Sequence, residues 1–573
     1  MISVSPIDWF VLVASLMAVE LYGLWKARGL RDMQGYLLAH RSMRWYAVAF
    51  SIMATQASAI TFLSTPGQAY VDGLRFVQFY LGLPLAMVVL AAVAVPIYHR
   101  LKVYTAYEYL ERRFDLKTRL LAAGLFLVQR GLAAGLTIYA PSIVLSVLLG
   151  WDISRTILIM GCLVVLYTTL GGSRSVQWTQ FLQFIIMIGG LLGALGTVVA
   201  LLPDGVSWMT ALRVAGQMGR LRAVDFSFDL HDRYTLWSGL IGGFFLALSY
   251  FGTDQSQVRG YLTGRSVAQS RLGLLFNGIV KVPMQFFILL TGATVFAFHQ
   301  FVAPPLYFNP VETARLRASP YAADYAALEA EYAEAFRAKA AAARRLAAAL
   351  RDEDASDVEA ARSTLAAAQA RIEDVRRQVT QLIQRVNPEA ETSDVNYIFL
   401  SFVLHHFPPG LVGLMIAVVF AAAMSSVAAE LNALASTTVV DVYRRLLRKA
   451  ADERHYVVIS KASTLAWGAL AIVFAGYAHR LGSLVEAVNI LGSLFYGTIL
   501  GIFLVAFFCR GVGGTATFLA ALAAEAAVVA CFLWTDISFL WYNVVGCLLV
   551  VGLAYPLQAF LGRQAVNGTS PRA

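Results

Sequence analysis

Charge is scarce in this chain. Only 14% of its 573 residues are Asp, Glu, Lys or Arg, against 58% that are hydrophobic. A soluble chain of this length needs far more charge to cover its surface. Cysteine is scarcer still, and Cys162, Cys509, Cys531 and Cys547 all fall inside apolar segments. They show neither metal-ligand spacing nor the framework of a small secreted domain, and they read as packing residues. Paired metal ligands, a nucleophile motif and a phosphate-cradling glycine loop are missing too, which argues against a membrane enzyme. His405-His406, before Pro408-Pro409, reads as an interfacial polar pair at a span entrance. The opening "MISVSPIDWF" has no basic n-region and no small-residue cleavage site, so the first apolar segment is expected to stay in the mature protein.

What the chain does have is apolar runs of bilayer length, about 13 of them by window counting. The fold class expected is an all-α polytopic membrane protein. The net charge of +10 would suit nucleic acid, but the Lys and Arg lie mostly in short loops between apolar runs, where the positive-inside rule puts them. The basic loops "KARGLRDMQGYLLAHRSMR", "YHRLKVYTAYEYLERRFDLK" and "DVYRRLLRKAADERHY" share one side under this count. That side is expected to be the cytoplasm, with the N-terminus outside and the C-terminus inside a plasma (inner) membrane.

Residues 320–388 differ from the rest. They are rich in Ala, Glu and Arg and carry Val358, Leu365, Ile372, Val379 and Val386 at heptad spacing, with Ala361, Ala368, Val375 and Leu382 between them. Tyr325, Leu328, Tyr332, Phe336, Leu346 and Leu350 form a looser stripe before them, and Ser356 with Glu359 reads as a capping box at the junction. An antiparallel helical hairpin on the extracytoplasmic side is expected, ended by Asn387-Pro388. It is either a rigid decoration or an arm that docks a partner protein.

Two spans carry residues that a plain anchor helix avoids. "FSIMATQASAITFLSTPGQAY" (50–70) clusters Thr, Gln and Ser before Pro66-Gly67, and "GGFFLALSYFGTDQSQVRGYL" (242–262) has Gly252, Thr253, Asp254 and Gln255 near its middle. Unpaired backbone at membrane depth is tolerated only where it is buried in protein or lines a cavity. Both breaks therefore point inward, and each opens a set of five spans, as in inverted-repeat transporters. The expected organisation is an extra helix in 1–27, a first repeat in 43–202, a second in 235–300 and 396–510, the hairpin in 320–388, and two further helices in 511–573.

"TAYEYLERRF" (105–114), "GGSRSVQWTQFLQ" (171–183), "GTDQSQVRGYL" (252–262) and "AAAMSSVAAELNALASTTVVDVY" (421–443) together resemble the sodium:solute symporter family. The resemblance runs in order from about residue 5 to about residue 510, interrupted by the hairpin. It implies a leucine-transporter-like core and sodium-driven solute uptake by alternating access. It also implies a sodium site built from the carbonyls of Ala54, Ala57 and Ala422 and the hydroxyls of Ser425 and Ser426. Ala422 and Ser426 are one helical turn apart, so a carbonyl and a hydroxyl share a face; the plainer alternative is that each serine bonds back to its own helix. Family members with a second sodium site carry aspartate where this chain has Gln180, so one sodium per cycle is expected.

Positions matching the sugar-contacting residues of family sugar carriers are Thr61, Tyr80, Asp254, Lys281 and Asn489. An intramembrane ammonium such as Lys281 needs a partner, and Asp254 is expected to supply it. Tyr80 stands where a carboxylate is expected in sugar carriers, so Lys281 suits a carboxylate substrate as well as a sugar. Tyr250, with Phe251, is a candidate gate. Glu430 is expected either to pair with a basic residue such as Arg174 or Lys461 or to serve ion release or proton coupling. The alternative function is a sodium-dependent solute sensor acting through a partner.

Overall fold

A computed structural model describes residues 4–27, 43–353, 355–391 and 393–562. In chain order the helices are α1 (Pro6–Ala27), α2 (Trp45–Gln56), α3 (Ala59–Asp72), α4 (Leu83–Ala92), α5 (Ala94–Leu101), α6 (Glu108–Arg113) and α7 (Leu116–Leu149). Then follow α8 (Ile153–Ala200), α9 (Trp208–Gln217), α10 (Gly243–Gly252), α11 (Gln255–Leu262), α12 (Val267–Phe298), α13 (Pro310–Arg317), α14 (Ala322–Asp352) and α15 (Ala355–Val386). The last are α16 (Val395–His406), α17 (Leu411–Thr437), α18 (Glu453–Ala475), α19 (Leu484–Phe508), α20 (Gly514–Trp534) and α21 (Phe539–Phe560). Among the described residues, 9 helices are long and apolar enough to cross a membrane, and Pro6–Val19, Ile153–Thr169 and Ser238–Gly252 are shorter apolar helices. This bears out the all-helical membrane class but does not reproduce the count of 13. One reason is that a broken span divides into pieces that are individually too short: α2, with 12 residues, rises only about 18 Å.

The helix Ile153–Ala200 is not straight. Tyr167 Oη lies 3.5 Å from Thr179 Oγ1, whereas a straight helix would separate those positions by about 18 Å. The helix must bend sharply between them.

Both breaks are real, and the first is not where Pro66-Gly67 suggested. It falls at Ala57–Ser58, where Ala57 takes φ −81°, ψ 73°, while Pro66 and Gly67 continue inside α3. Gly67 instead lets α3 touch α16 closely: a Cβ there would meet the Val395 carbonyl at 2.1 Å. Pro66 itself packs its backbone against Gly292 of α12, where a Cβ would again come within 2.1 Å. The second break lies at Thr253, between α10 and α11, with Asp254 capping α11 through Ser256 N at 2.9 Å.

The hairpin forms as α14 and α15. Leu365, Ile372, Val375, Val379 and Leu382 are buried, and α15 ends just before Asn387-Pro388. Because α15 begins at Ala355, Ser356 lies in its first turn rather than at the cap position expected; Asp354 lies outside the described residues. The hairpin is no free arm. Ala342, Ala343, Leu346 and Leu365 form one apolar cluster with Ala211 and Val214 of α9 and Phe296 of α12. Arg376 pairs with Asp394 at 2.7 Å, and Tyr332 Oη donates to the Pro304 carbonyl at 2.7 Å.

Lys339 is buried in this junction, donating to the His299 carbonyl at 3.3 Å, and burial pushes its ammonium down to about 7. The unfolded chain holds that proton up to about pH 10.4. Between pH 7 and 10.4 the unfolded state therefore binds more protons, and this site's contribution to stability rises with pH. Lys339→Met is expected to raise the melting temperature at pH 7, with the gain shrinking toward pH 10. Thermal unfolding across that range checks it, and a gain independent of pH would refute the assignment.

Candidate functional site

The break between α2 and α3 frees backbone carbonyls. Ala57 N closes the last helical bond on Met53, and Ser58 N turns to Gln56, so the carbonyls of Ala54 and Thr55 have lost their usual i+4 donors. Two hydroxyls from α17 meet them: Ser425 Oγ donates to the Ala54 carbonyl at 3.4 Å and Ser426 Oγ to the Thr55 carbonyl at 3.1 Å. The serines thus reach across to α2 instead of bonding back to their own helix. Ser425, Ser426, Ala54, Ala57 and Ala422 are all almost fully buried. The donor set is oxygen only and carries no formal charge, a set that fits a hard monovalent cation. The Thr55 carbonyl, absent from the expected set, is the one that Ser426 meets.

The second break is treated differently. Tyr98 Oη donates to the Gly252 carbonyl at 2.8 Å, and Tyr107 Oη donates to that of Thr253 at 2.9 Å. Its freed carbonyls are already occupied by rigid donors, which leaves the α2–α3 break as the better oxygen site for an ion.

Gln180 sits against α2 one turn before the break. Its Oε1 accepts from Ser51 Oγ at 2.6 Å, and its Nε2 donates to Thr55 Oγ1 at 2.9 Å. Both ends of a neutral amide are satisfied by hydroxyls, so it acts as a brace on α2.

Asp254 and Lys281 do not pair. Asp254 is bound to Arg130 of α7, whose guanidinium also reaches Glu430 of α17 at 3.1 Å. Tyr496 Oη of α19 receives from Arg130 at 2.7 Å and donates to Asp254 at 3.1 Å. Arg130 also lies over the Tyr250 ring, 5.4 Å from its centroid, and Tyr250 Oη accepts from Gln257 at 2.7 Å. One buried guanidinium therefore ties together α7, the α10–α11 break, α17 and α19. Glu430 finds its partner in Arg130 rather than in Lys461 or Arg174; the Arg174 side chain lies outside the described residues. Arg130 was the residue that sequence reasoning missed. Its signal was available, since an arginine in mid-span in "FLVQRGLAAG" is by default functional.

Lys281 is 1% exposed, with its ammonium 5.7 Å from the centroid of the Tyr80 ring. It makes no ion pair among the described residues. Thr61 is buried on α3, and Asn489 Nδ2 donates back to Val485 of its own helix at 2.6 Å. The geometry therefore joins Lys281 to Tyr80, puts Asp254 and Tyr250 in the Arg130 cluster, and engages Asn489 on its own helix. His405 bonds back to Ser401 at 2.7 Å, and His406 packs on Phe402. Among the described residues no group of three or more His, Cys, Asp or Glu is placed to hold a metal ion.

On one face α3 is held shut against α19. Gln68 Oε1 accepts from Ser483 Oγ at 2.8 Å, and Gln68 Nε2 donates to Glu486 at 3.2 Å, which is held in turn by Arg233 and Tyr234.

Two broken membrane helices, with backbone carbonyls freed at one break, and a buried ammonium on another span are features of a helical secondary transporter. The chain belongs to the sodium:solute symporter family, whose model matches residues 36–321 and 377–523. It is a sodium-coupled solute symporter, not an enzyme. The chain is 26% identical over 500 residues to sodium-coupled monocarboxylate transporter 1 of Xenopus laevis, covering 86% of this chain and 67% of the relative. It is 33% identical over 275 residues to the human sodium/iodide cotransporter, covering 48% and 42%. The sodium-dependent multivitamin transporter of Oryctolagus cuniculus is 25% identical, covering 88% and 66%. A solved outward-open, substrate-bound Na+-coupled sialic acid symporter shares the fold with a TM-score of 0.73 at 21% identity, covering 98% of this chain and 99% of that one.

Proposed function

We propose that this symporter imports a small organic anion, most simply a carboxylate, with one sodium per cycle. The observation that carries the reading is Lys281, a buried ammonium whose expected carboxylate, Asp254, is taken by Arg130. A charge in a membrane span without a protein partner suits a substrate of opposite sign. Relatives whose names specify monocarboxylate and iodide support an anion rather than a sugar. Sodium is assigned to Ala54, Ala57, Ala422, Ser425 and Ser426, with the Thr55 carbonyl added, and the anion to Lys281 and Tyr80. Gln180, with both amide ends engaged, supports a single ion. The two five-helix repeats, and the N-terminus outside a plasma membrane with the hairpin on that side, belong to the same proposal.

Uptake of radiolabelled pyruvate, glucose and proline by liposomes under an inward sodium gradient tests it. Pyruvate accumulation that stops when sodium is replaced by potassium is the expected result; uptake of glucose but not of any carboxylate would overturn the anion assignment. Lys281→Met is expected to raise the KM for the anion at least about tenfold, from the loss of a charge-assisted contact worth about 1.5–3 kcal/mol. Sodium affinity should stay close to wild type.

A further inference from the structure

At the end of α17 opposite its Gly410 terminus, a cavity of about 410 Å³ opens between α6 and the π-helical turn Thr438–Leu447. Five of its lining side chains are basic, Lys102, Arg112, Arg444, Arg445 and Lys449, against the two carboxylates Glu108 and Glu111. Glu111 is already engaged, by Arg119 at 2.5 Å and by Arg445 at 3.2 Å. Lys102, Arg112, Arg444 and Lys449 make no ion pair among the described residues. Repulsion between so many like charges around one concavity is relieved by an anion, and arginine forks match phosphate oxygens in pairs. Lys102 is held in the left-handed region, at φ 50°, where a non-glycine residue is uncommon and strain of this kind gathers at functional sites.

We propose that this cavity binds a phosphate-bearing anion, and the geometry favours a phospholipid headgroup as its source. Leu446 and Leu447, next to Arg444 and Arg445, are 54% and 74% exposed. Apolar side chains beside a basic cluster at a span end suit acyl chains below a headgroup, and basic pockets on the cytoplasmic side of spans bind anionic lipids. Glu111, in the cavity wall, connects the ligand to the transport core. Arg119 is fully buried and joins Glu111 to Asp441, and Asp441 also accepts from Thr105 Oγ1 at 2.8 Å. Asp441 follows directly on α17, the helix that carries Ser425 and Ser426. An anion here would hold α6 and the end of α17 together and so bias the arrangement of the helix that faces the α2–α3 break. None of this depends on which solute is carried.

The test titrates the purified full chain with dioctanoyl phosphatidylglycerol, dioctanoyl phosphatidylcholine and pyrophosphate, reading thermal stability at low and high salt. A rise in melting temperature with phosphatidylglycerol alone, weakened by salt, supports the lipid source; an equal rise with pyrophosphate supports a soluble phosphate at the same site. Replacing Lys102, Arg444 and Lys449 together by Gln is expected to weaken the apparent affinity by on the order of a hundredfold, since each basic residue near an anionic surface is worth roughly fivefold. Arg371→Gln on the hairpin should change nothing. Should the triple variant not fold, Lys449→Gln alone is read, with about a fivefold loss expected. Equal responses to the glycerol and choline lipids with none to pyrophosphate, or a wild-type response from a folded variant, would overturn the proposal.

Discussion

Replacing Arg130 with glutamine is expected to destabilise the folded protein by about 3–5 kcal/mol, the cost of breaking a buried ion pair and leaving its partner charged. Here two carboxylates are stranded, Asp254 and Glu430, and Tyr496 loses the guanidinium that orders it. Four helical segments meet at this guanidinium, so the loss should be felt throughout the core. Glu430→Gln keeps the Arg130–Asp254–Tyr496 connection and should be milder. The double variant Arg130→Gln/Glu430→Gln should recover part of the loss, because it removes one stranded charge. Thermal unfolding in detergent with monodispersity by gel filtration measures all three. An Arg130→Gln protein that melts with wild type would mean that the cluster is solvated and contributes little.

The second large effect concerns sodium. Ser426→Ala removes the hydroxyl that meets the Thr55 carbonyl at 3.1 Å, in a dry pocket where backbone alone cannot complete the shell. A contact to a charged partner is worth about 1.5–3 kcal/mol, so apparent sodium affinity should weaken by about ten- to a hundredfold. Substrate affinity at saturating sodium should change much less, because the coupling between ion and solute is reciprocal and acts through ion occupancy. Ser426→Thr keeps the oxygen and should lie between. Sodium dependence of uptake, measured beside expression and melting temperature, decides it. A folded Ser426→Ala protein with unaltered sodium dependence would remove these serines from the ion site.

The two sites were legible to different degrees. The hydroxyl pair was readable through the resemblance to the symporter family, because a serine in a span bonds back to its own helix as readily as across to another. The hairpin was readable because its seam repeats every seven residues and needs no other part of the chain to be recognised. The Lys281–Asp254 pair was misread. Spacing along the chain says that both lie in spans; it does not say which buried cation reaches a given carboxylate first, and Arg130 does so from a third helix.

Composition and periodicity alone determined that this is a helical membrane protein and that two of its spans are interrupted; the resemblance to the symporter family was what set serine hydroxyls against one interruption. The first two follow from local rules: the length of an apolar run and the cost of unpaired backbone in lipid. Only the tertiary structure decided that the break in the first interrupted span falls at Ala57 and not at Pro66, and that Arg130 gathers Asp254, Glu430 and Tyr496. It also decided that the hairpin spends its apolar face on α9 and α12, and that Lys281 is left with an aromatic ring in place of an anion. Each of these is a choice between competing partners brought together from distant parts of the chain. Such a choice is made by packing distance and desolvation in the assembled core, and no local pattern encodes it.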